Sequence, residues 1–558
     1  MADTEILPRP IGEAVEVRPE EHYIEADRSL VERPLRTLKH GDLFGVFSID
    51  GDIGAAGKGP EGLFFRDTRF LSRLELRIGG AWPLLLDSAV AQDNAALLVD
   101  LTNADLHDGA DGVALPRSTL FANRWKFLFG QSCYERFAFR NHGMRRTGFG
   151  VELNFGADFA DLFEVRGEQR AVRGAIAAER VSDSEVVLTY SGLDGQDRTT
   201  SLCFDPVPDR LTTQAAGWDV ALDPDERIAL TVEVACGVAG EAPLKRRSLA
   251  AAYRDLRRQS RRQSAMLGRL SSSNPLFNEM LRRSAVDLDM LLTETGRGLY
   301  PYAGIPWYST VFGRDGIITA MMILAEAPEV ALGVLKTLAA LQATGMDDAA
   351  DAQPGKILHE TRSGEMAILG EVPFRLYYGS VDSTPLFVML AADYFARSGD
   401  IETIRDIWPN IEAAIGWIDE HGDMDGDGFV EYGRRTDQGL VNQGWKDSHD
   451  AIFHADGRLA EGPIALCEVQ AYVFAAKRGA ALLSRALGDE PRARRWEEEA
   501  ESLRARFEES FWLEDLQTYA LALDGKKAPC RVRASNAGHC LFAGIASPER
   551  AAAVARQL

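Results

Sequence analysis

Three stretches of this sequence gather side chains able to act on a neutral, hydroxyl-rich molecule. The first, PWYSTVFGRDG at positions 306–316, sets Trp307, Tyr308, Phe312, Arg314 and Asp315 just before a helical pattern. Aromatic faces stack on the apolar C–H faces of sugars, and an adjacent Arg and Asp supply a donor fork and an acceptor for paired hydroxyls. Asp315 could equally cap the next helix with Arg314 as its ion-pair partner, and the loop alone leaves both readings open.

The second stretch runs from HETRSGEMAILGEVPF into YYGSVDSTPLF and concentrates His359, Glu360, Arg362, Glu365, Glu371, Tyr377, Tyr378 and Asp382. Part of this polarity belongs to loop ties and caps, and Asp382 followed by Thr384 and Pro385 is a natural helix start. Glu360 and Asp382 are the residues chosen here as sugar contacts, with Tyr378 beside them.

The third, HGDMDGDGFVEYGRRTDQGLVNQGWKDSHD, is the richest. Asp423, Asp425, Asp427 and Gly428 follow the D-x-D-x-D-G spacing in which alternating carboxylates wrap a hard cation. Position twelve of that loop is Arg434, which excludes a standard EF-hand. Two readings stay open: a structural calcium site completed by a remote carboxylate, and a plain Asp/Gly turn. Farther along, Trp445, Lys446 and Asp447 stand together, with Asp450 close by. A carboxyl beside a Trp in a Gly-containing loop is a setting where burial keeps an acid protonated near neutrality. Such a group can protonate a glycosidic oxygen, although Asp447 or Asp450 could also cap a short helix.

Other chemistries find little footing. The sequence has no GxSxG elbow, P-loop, HExxH or strand-to-helix GxGxxG, and its nine histidines lack ligand spacing. The six cysteines show no CxxC pairing and are expected to be small buried residues. The net charge of −22 argues against nucleic acid and anionic membranes, which are held chiefly by clustered Lys and Arg. With no apolar signal core at the start and no run of about 18 apolar residues, a cytoplasmic protein is expected.

These residues must be positioned by more than one folded unit, because 558 residues exceed what one core usually organises. Residues 1–34, rich in Glu, Pro and Arg, are expected to form a flexible arm. Residues 35–243 alternate apolar and polar positions in short runs such as RFLSRLELRI, GFGVELNF and RIALTVEVACGV, the pattern of a β-sandwich. Residues 244–273 include a basic helical stretch, read as a linker helix. From residue 274 to 558 the pattern is helical, with starts and stops near 274–292, 316–326, 329–342, 382–398, 401–420, 465–487, 490–511, 534–546 and 548–558. The loops between them at 293–315, 344–380 and 421–463 carry the three stretches above. Loops of that length in a compact helical domain tend to be functional.

Several motifs in the same order are familiar. GLFFRDTRFLSRLEL and FGADFADLFEVRG resemble the N-terminal domain of bacterial glycogen-debranching, amylo-α-1,6-glucosidase-like proteins. PWYSTVFGRDGIITA, YYGSVDSTPLF, NQGWKDSHDAI and ALCEVQAYVFAA are similar to the toroidal catalytic domains of that group. The resemblance implies a β-sandwich followed by an (α/α)6 toroid, and inverting hydrolysis of α-glucosidic bonds, α-1,6 bonds of glycogen or related α-glucans above all, with no required cofactor. It implies that Arg314 and Asp315 contact the terminal glucosyl unit, that Asp447 is the general acid, and that Glu468 and Gln470 in CEVQAY wall the pocket.

An inverting reaction also needs a base about 6.5–9.5 Å from the acid. In proteins of this kind it lies beyond the point reached by Leu558, and about nine helices are legible here where six hairpins require twelve. The toroid is therefore expected to be truncated at its C-terminus, its open face covered by a partner chain, self-association or rearrangement. Two alternatives accompany the hydrolase reading: a non-catalytic glucan-binding scaffold, and a toroidal hydrolase of trehalose, sucrose or a glycosylglycerate.

Overall fold

The computed structural model describes residues 35–54, 59–107, 113–241, 246–264, 268 and 270–558. The arm expected over residues 1–34 lies outside them.

The alternating runs of the first half become antiparallel strands. Eight form one large sheet in the order Ala175–Ser182, Glu185–Ser191, Asp197–Asp205, Arg227–Val238, Ser132–Asn141, Leu120–Phe129, Leu97–Thr102 and Leu84–Val90. A second sheet orders Arg210–Leu211, Ala215–Leu222, Thr147–Gly156 and Arg73–Ile78, and a third runs from Arg36–His40 through Leu43–Phe47 and Gly62–Phe65 to Thr68–Leu71. The period-two pattern puts every second side chain inward. Val99, Phe139, Leu202 and Val232 of the large sheet meet Leu74, Leu76, Val151 and Trp218 of the second in one core. A single turn of helix, α1 (Leu162–Arg166), leaves this domain through a capping box formed by Asp161 and Glu164.

The basic stretch becomes α2 (Leu249–Ser264). Its apolar side docks on the large sheet: Tyr253 meets Trp125 and Phe127 edge-on, and Ala252 and Leu256 are buried with them. The next helix, α3 (Pro275–Leu291), starts where Asn274 accepts hydrogen bonds from the Leu276 and Phe277 amides. It leans on the N-terminal domain through Asp287 and Arg283, which bind Asn94.

From there the chain builds four helical hairpins. They pair α4 (Gly313–Met322) with α5 (Pro328–Ala340), α7 (Ser383–Ser398) with α8 (Ile401–Trp417), α9 (Cys467–Ala486) with α10 (Glu490–Ser510), and α11 (Asn536–Phe542) with α12 (Pro548–Gln557); the short α6 (Glu365–Ile368) lies between the first two. The first members touch in succession, α4 to α7 to α9 to α11, forming an inner layer, and each partner packs outside. The sequence explains this layering. The inner helix α7 reads STPLFVMLAADYF and is buried nearly all round, whereas the outer α10 shows a narrow stripe of Ala493, Trp496, Ala500, Leu503 and Phe507. The expected helix starting near 316 begins three residues earlier, at Gly313, so Arg314 and Asp315 belong to its first turn and not to the preceding loop.

The cysteines are all unpaired, and five of the six are buried. Among the described residues no helix is long and apolar enough to cross a membrane.

Candidate active site

The inner helices all present their first turns to one place. Arg314 is the second residue of α4, Asp382 immediately precedes α7, Glu468 is the second residue of α9, and Asn536 opens α11. Helix N-termini carry partial positive charge and unpaired N–H groups, so their convergence favours carboxylates and hydroxyl-bearing ligands.

Arg314 is the hub. One guanidinium nitrogen lies 3.2 Å from Asp382 Oδ2 and donates to the Gly444 carbonyl at 2.9 Å, while the other reaches Asp447 Oδ2 at 3.2 Å. Asp382 occupies the cap position of α7 without capping it. Its carboxylate is fully buried and accepts from Arg314 and from Ser380 Oγ at 2.6 Å. The helix-start reading of Asp382 thus gives its place in the chain, and Arg314 accounts for its chemistry.

Asp447 differs from its neighbours in being reachable. Its side chain is 46% exposed, yet partial desolvation of the carboxyl pushes its pKa up, with the Arg314 guanidinium opposing that push. Glu468 is sealed, 1% exposed, and burial lifts it to about 7; Asn536 Nδ2 donates to it at 2.8 Å. Trp445 stands 37% exposed with Lys446 over its ring and His539 tilted against it at 5.7 Å. His539 bonds Tyr472 at 2.6 Å, and burial lowers its pKa, which favours the neutral imidazole. An exposed Trp beside an exposed carboxyl, backed by a neutral His and a Tyr, is an arrangement that can stack on a sugar ring and deliver a proton.

Asn536 and His539 were not singled out from the sequence. The segment SNAGH carries no spacing that marks a site, and only the packing of α11 against α9 brings it there.

The remaining candidates fall elsewhere. Asp315 sits behind Arg314 in the first turn of α4, close enough for its charge to act on Arg314 and Tyr300. Tyr308 is 43% exposed and edge-on to Phe312, so it remains available to a ligand. Trp307 packs against the N-terminal domain with Val165 and Phe64. Glu360 is buried and accepts from Arg362 Nε at 2.7 Å, at the junction with Asp67 of the N-terminal domain; this commits it to an ion-pair cluster. Tyr378 donates to the Leu341 carbonyl at 2.7 Å and ties the end of α5. Gln470 is fully buried and bonded to both the amide and the carbonyl of Val430, which ties α9 to the loop that leads on to Asp447. Asp423, Asp425 and Asp427 lie in their own tight loop, where Asp423 accepts the Gly426 and Gly428 amides and the other two pair with Lys527.

Comparison with known proteins finds two matching stretches. Residues 38–233 match the N-terminal domain of some glycogen debranching enzymes, and residues 378–558 match the mannosylglycerate hydrolase MGH1-like glycoside hydrolase domain. Among solved structures, a putative kojibiose phosphorylase from the human microbiome superposes with a TM-score of 0.55 at 10% identity, covering 90% of this chain and 72% of that one. A bacterial glucoamylase complexed with acarbose gives 0.52 at 10% identity, covering 88% and 73%. No curated protein sequence matches. The chain therefore carries a stretch similar to the N-terminal domain of some glycogen debranching enzymes ahead of one similar to the MGH1-like glycoside hydrolase domain, and it shares its fold with these two solved structures.

Proposed function

We propose that this chain acts on α-glucosides as an inverting hydrolase, with Asp447 as the general acid. The observation that carries the reading is the contrast among the three clustered carboxyls. Asp382 and Glu468 are closed off from solvent, whereas Asp447 combines a raised pKa with an exposed face beside the exposed Trp445. In this reading Trp445 stacks on the sugar, Asp447 donates its proton to the glycosidic oxygen as the C–O bond breaks, and Arg314 holds the resulting carboxylate. Water then attacks the opposite face of the ring. Its activating base has to be an exposed carboxylate about 6.5–9.5 Å from Asp447, a role that Asp382 and Glu468 do not fit as they stand. Neither step calls for a cofactor.

The α-1,6 bonds of limit dextrin and isomaltose are the first substrates to try, supported by the debranching-type N-terminal domain. The name of the matched hydrolase domain adds glycosylglycerates to the panel. Wild-type protein is expected to release the β-anomer of the sugar, followed by NMR. Asp447→Asn should lower kcat by about 10²–10⁴, the usual contribution of general acid catalysis, while leaving the circular dichroism spectrum unchanged. Full activity in the Asn variant would remove Asp447 from the mechanism. Calorimetric binding of malto-oligosaccharides without turnover would replace the hydrolase reading with a glucan-binding one.

A further inference from the structure

The D-x-D-x-D-G loop is a second built feature, separate from the acid and the sugar platform. Its fold is that of a cation-wrapping loop. Asp423 accepts the amides of Gly426 at 2.8 Å and Gly428 at 2.9 Å, Asp425 accepts the amide of Asp427 at 3.3 Å, and Asp427 that of Phe429 at 2.9 Å. The carboxylate that the sequence lacks at position twelve is supplied at position nine. Glu431 is buried, binds the Met424 amide at 3.0 Å, and has a ligand oxygen within 4.8 Å of oxygens of Asp423 and Asp425.

The charge that these oxygens surround belongs to the chain itself. Lys527 Nζ lies 3.0 Å from Asp425 Oδ2 and 2.8 Å from Asp427 Oδ2, and it donates to Glu431 Oε1. Three carboxylates thus converge on one ammonium, which has three protons to give. The lysine is placed there by a tight turn in which Asp524 accepts the amides of Lys526 and Ala528, each at 2.9 Å. Its own backbone is left-handed, φ +61°, a conformation uncommon outside glycine. The turn follows strand Ala522–Leu523, which pairs with Ala465–Leu466 at the start of α9.

We propose that Lys527 is the resident cation of this loop. Its ammonium takes the position that a divalent ion holds in calcium loops of the same spacing, so the loop closes without metal and is anchored to the turn after Ala522–Leu523, the strand paired with the one leading into Glu468. Calcium needs six to eight oxygens at about 2.3–2.6 Å, and a tethered ammonium bonded to three of the available carboxylates excludes that shell. Once the lysine charge is gone, the same oxygens become a weak calcium site.

The experiment compares the full chain with Lys527→Gln by thermal unfolding in EDTA and in millimolar calcium chloride, and titrates calcium into each by calorimetry. Wild type is expected to melt at the same temperature in both buffers and to show no calcium heat. The variant should melt several degrees lower in EDTA, recover in calcium, and bind it with a dissociation constant on the order of 10⁻⁴ M, as weak calcium loops do. Calcium binding or stabilisation in wild type would overturn the proposal, because a metal would then be displacing the lysine. A variant as stable as wild type in EDTA, or one that folds poorly and no better with calcium, would overturn it too. The first result would deny the anchoring, the second the exchange of cations. Lys527→Arg, which keeps the charge, should remain indifferent to calcium.

Discussion

At the scale of single residues, the site turns on how one arginine divides its attention between two carboxylates. Arg314 binds the buried Asp382 and the exposed Asp447 with different nitrogens, each at 3.2 Å. Burial raises the pKa of Asp447, and the guanidinium opposes that rise. As the general acid proposed above, Asp447 works only while it holds its proton, so activity is expected to fall as pH rises through its pKa, and the alkaline limb of kcat/KM to report that value in the free enzyme. Arg314→Gln removes the opposing charge and leaves the burial. The alkaline limb should therefore move to higher pH, even as kcat falls by about 10- to 100-fold through lost positioning. A limb that moves to lower pH, or stays where it is, would mean that Asp447 is not the group titrating there.

At the scale of elements, the site depends on where α4 begins, and Gly313 sets that point. Its amide donates to the His359 carbonyl at 2.8 Å, and a Cβ at this position would run into the carbonyl oxygen of Leu358. Helix propensity favours Ala over Gly by up to about 1 kcal/mol, whereas forcing a methyl against backbone costs about 1–3 kcal/mol. Gly313→Ala is thus expected to lower the melting temperature by about 1–2 °C and to impair catalysis by shifting Arg314. A stabilised variant would show that the loop yields freely. The elements themselves were largely legible in the sequence, because caps such as Asn274 and Asp489 and stripes such as that of α10 are local signals. The site was legible only in part. Trp445 and Asp447 are neighbours in one motif, but Asn536, His539 and Lys527 reach their partners from 68, 67 and 96 positions away, counted to Glu468, Tyr472 and Glu431. For the same reason local composition does not announce that Glu360 bonds Arg362 and that Tyr378 ties the end of α5.

At the scale of the whole molecule, the N-terminal domain grips the loop between α5 and α7, which leads into Asp382. Asp67 accepts from Arg362 Nη1 at 3.1 Å and from the Ser363 amide at 2.7 Å, and Asp161 accepts the Met366 amide at 3.1 Å. Arg170 and Tyr190 converge on Glu365 at 2.6 and 2.7 Å, and Phe163 stacks on Phe374 with ring centres 5.4 Å apart. Arg362 and Asp67 are both buried, so neither can turn to water for compensation. Replacing Asp67 with Ala leaves Arg362 with Glu360 and the Trp307 carbonyl and takes the acceptor away from the Ser363 amide, a loss of charge-assisted hydrogen bonds that typically costs about 1.5–3 kcal/mol. Because the contacts run from the β core into the loop ahead of α7, that cost should be felt by both domains. Scanning calorimetry of wild type is expected to give one cooperative transition, and Asp67→Ala should move all of it to lower temperature. Two separate transitions, with only one displaced by the substitution, would mean that the domains fold independently and that the sheet-rich half merely adjoins the helical half.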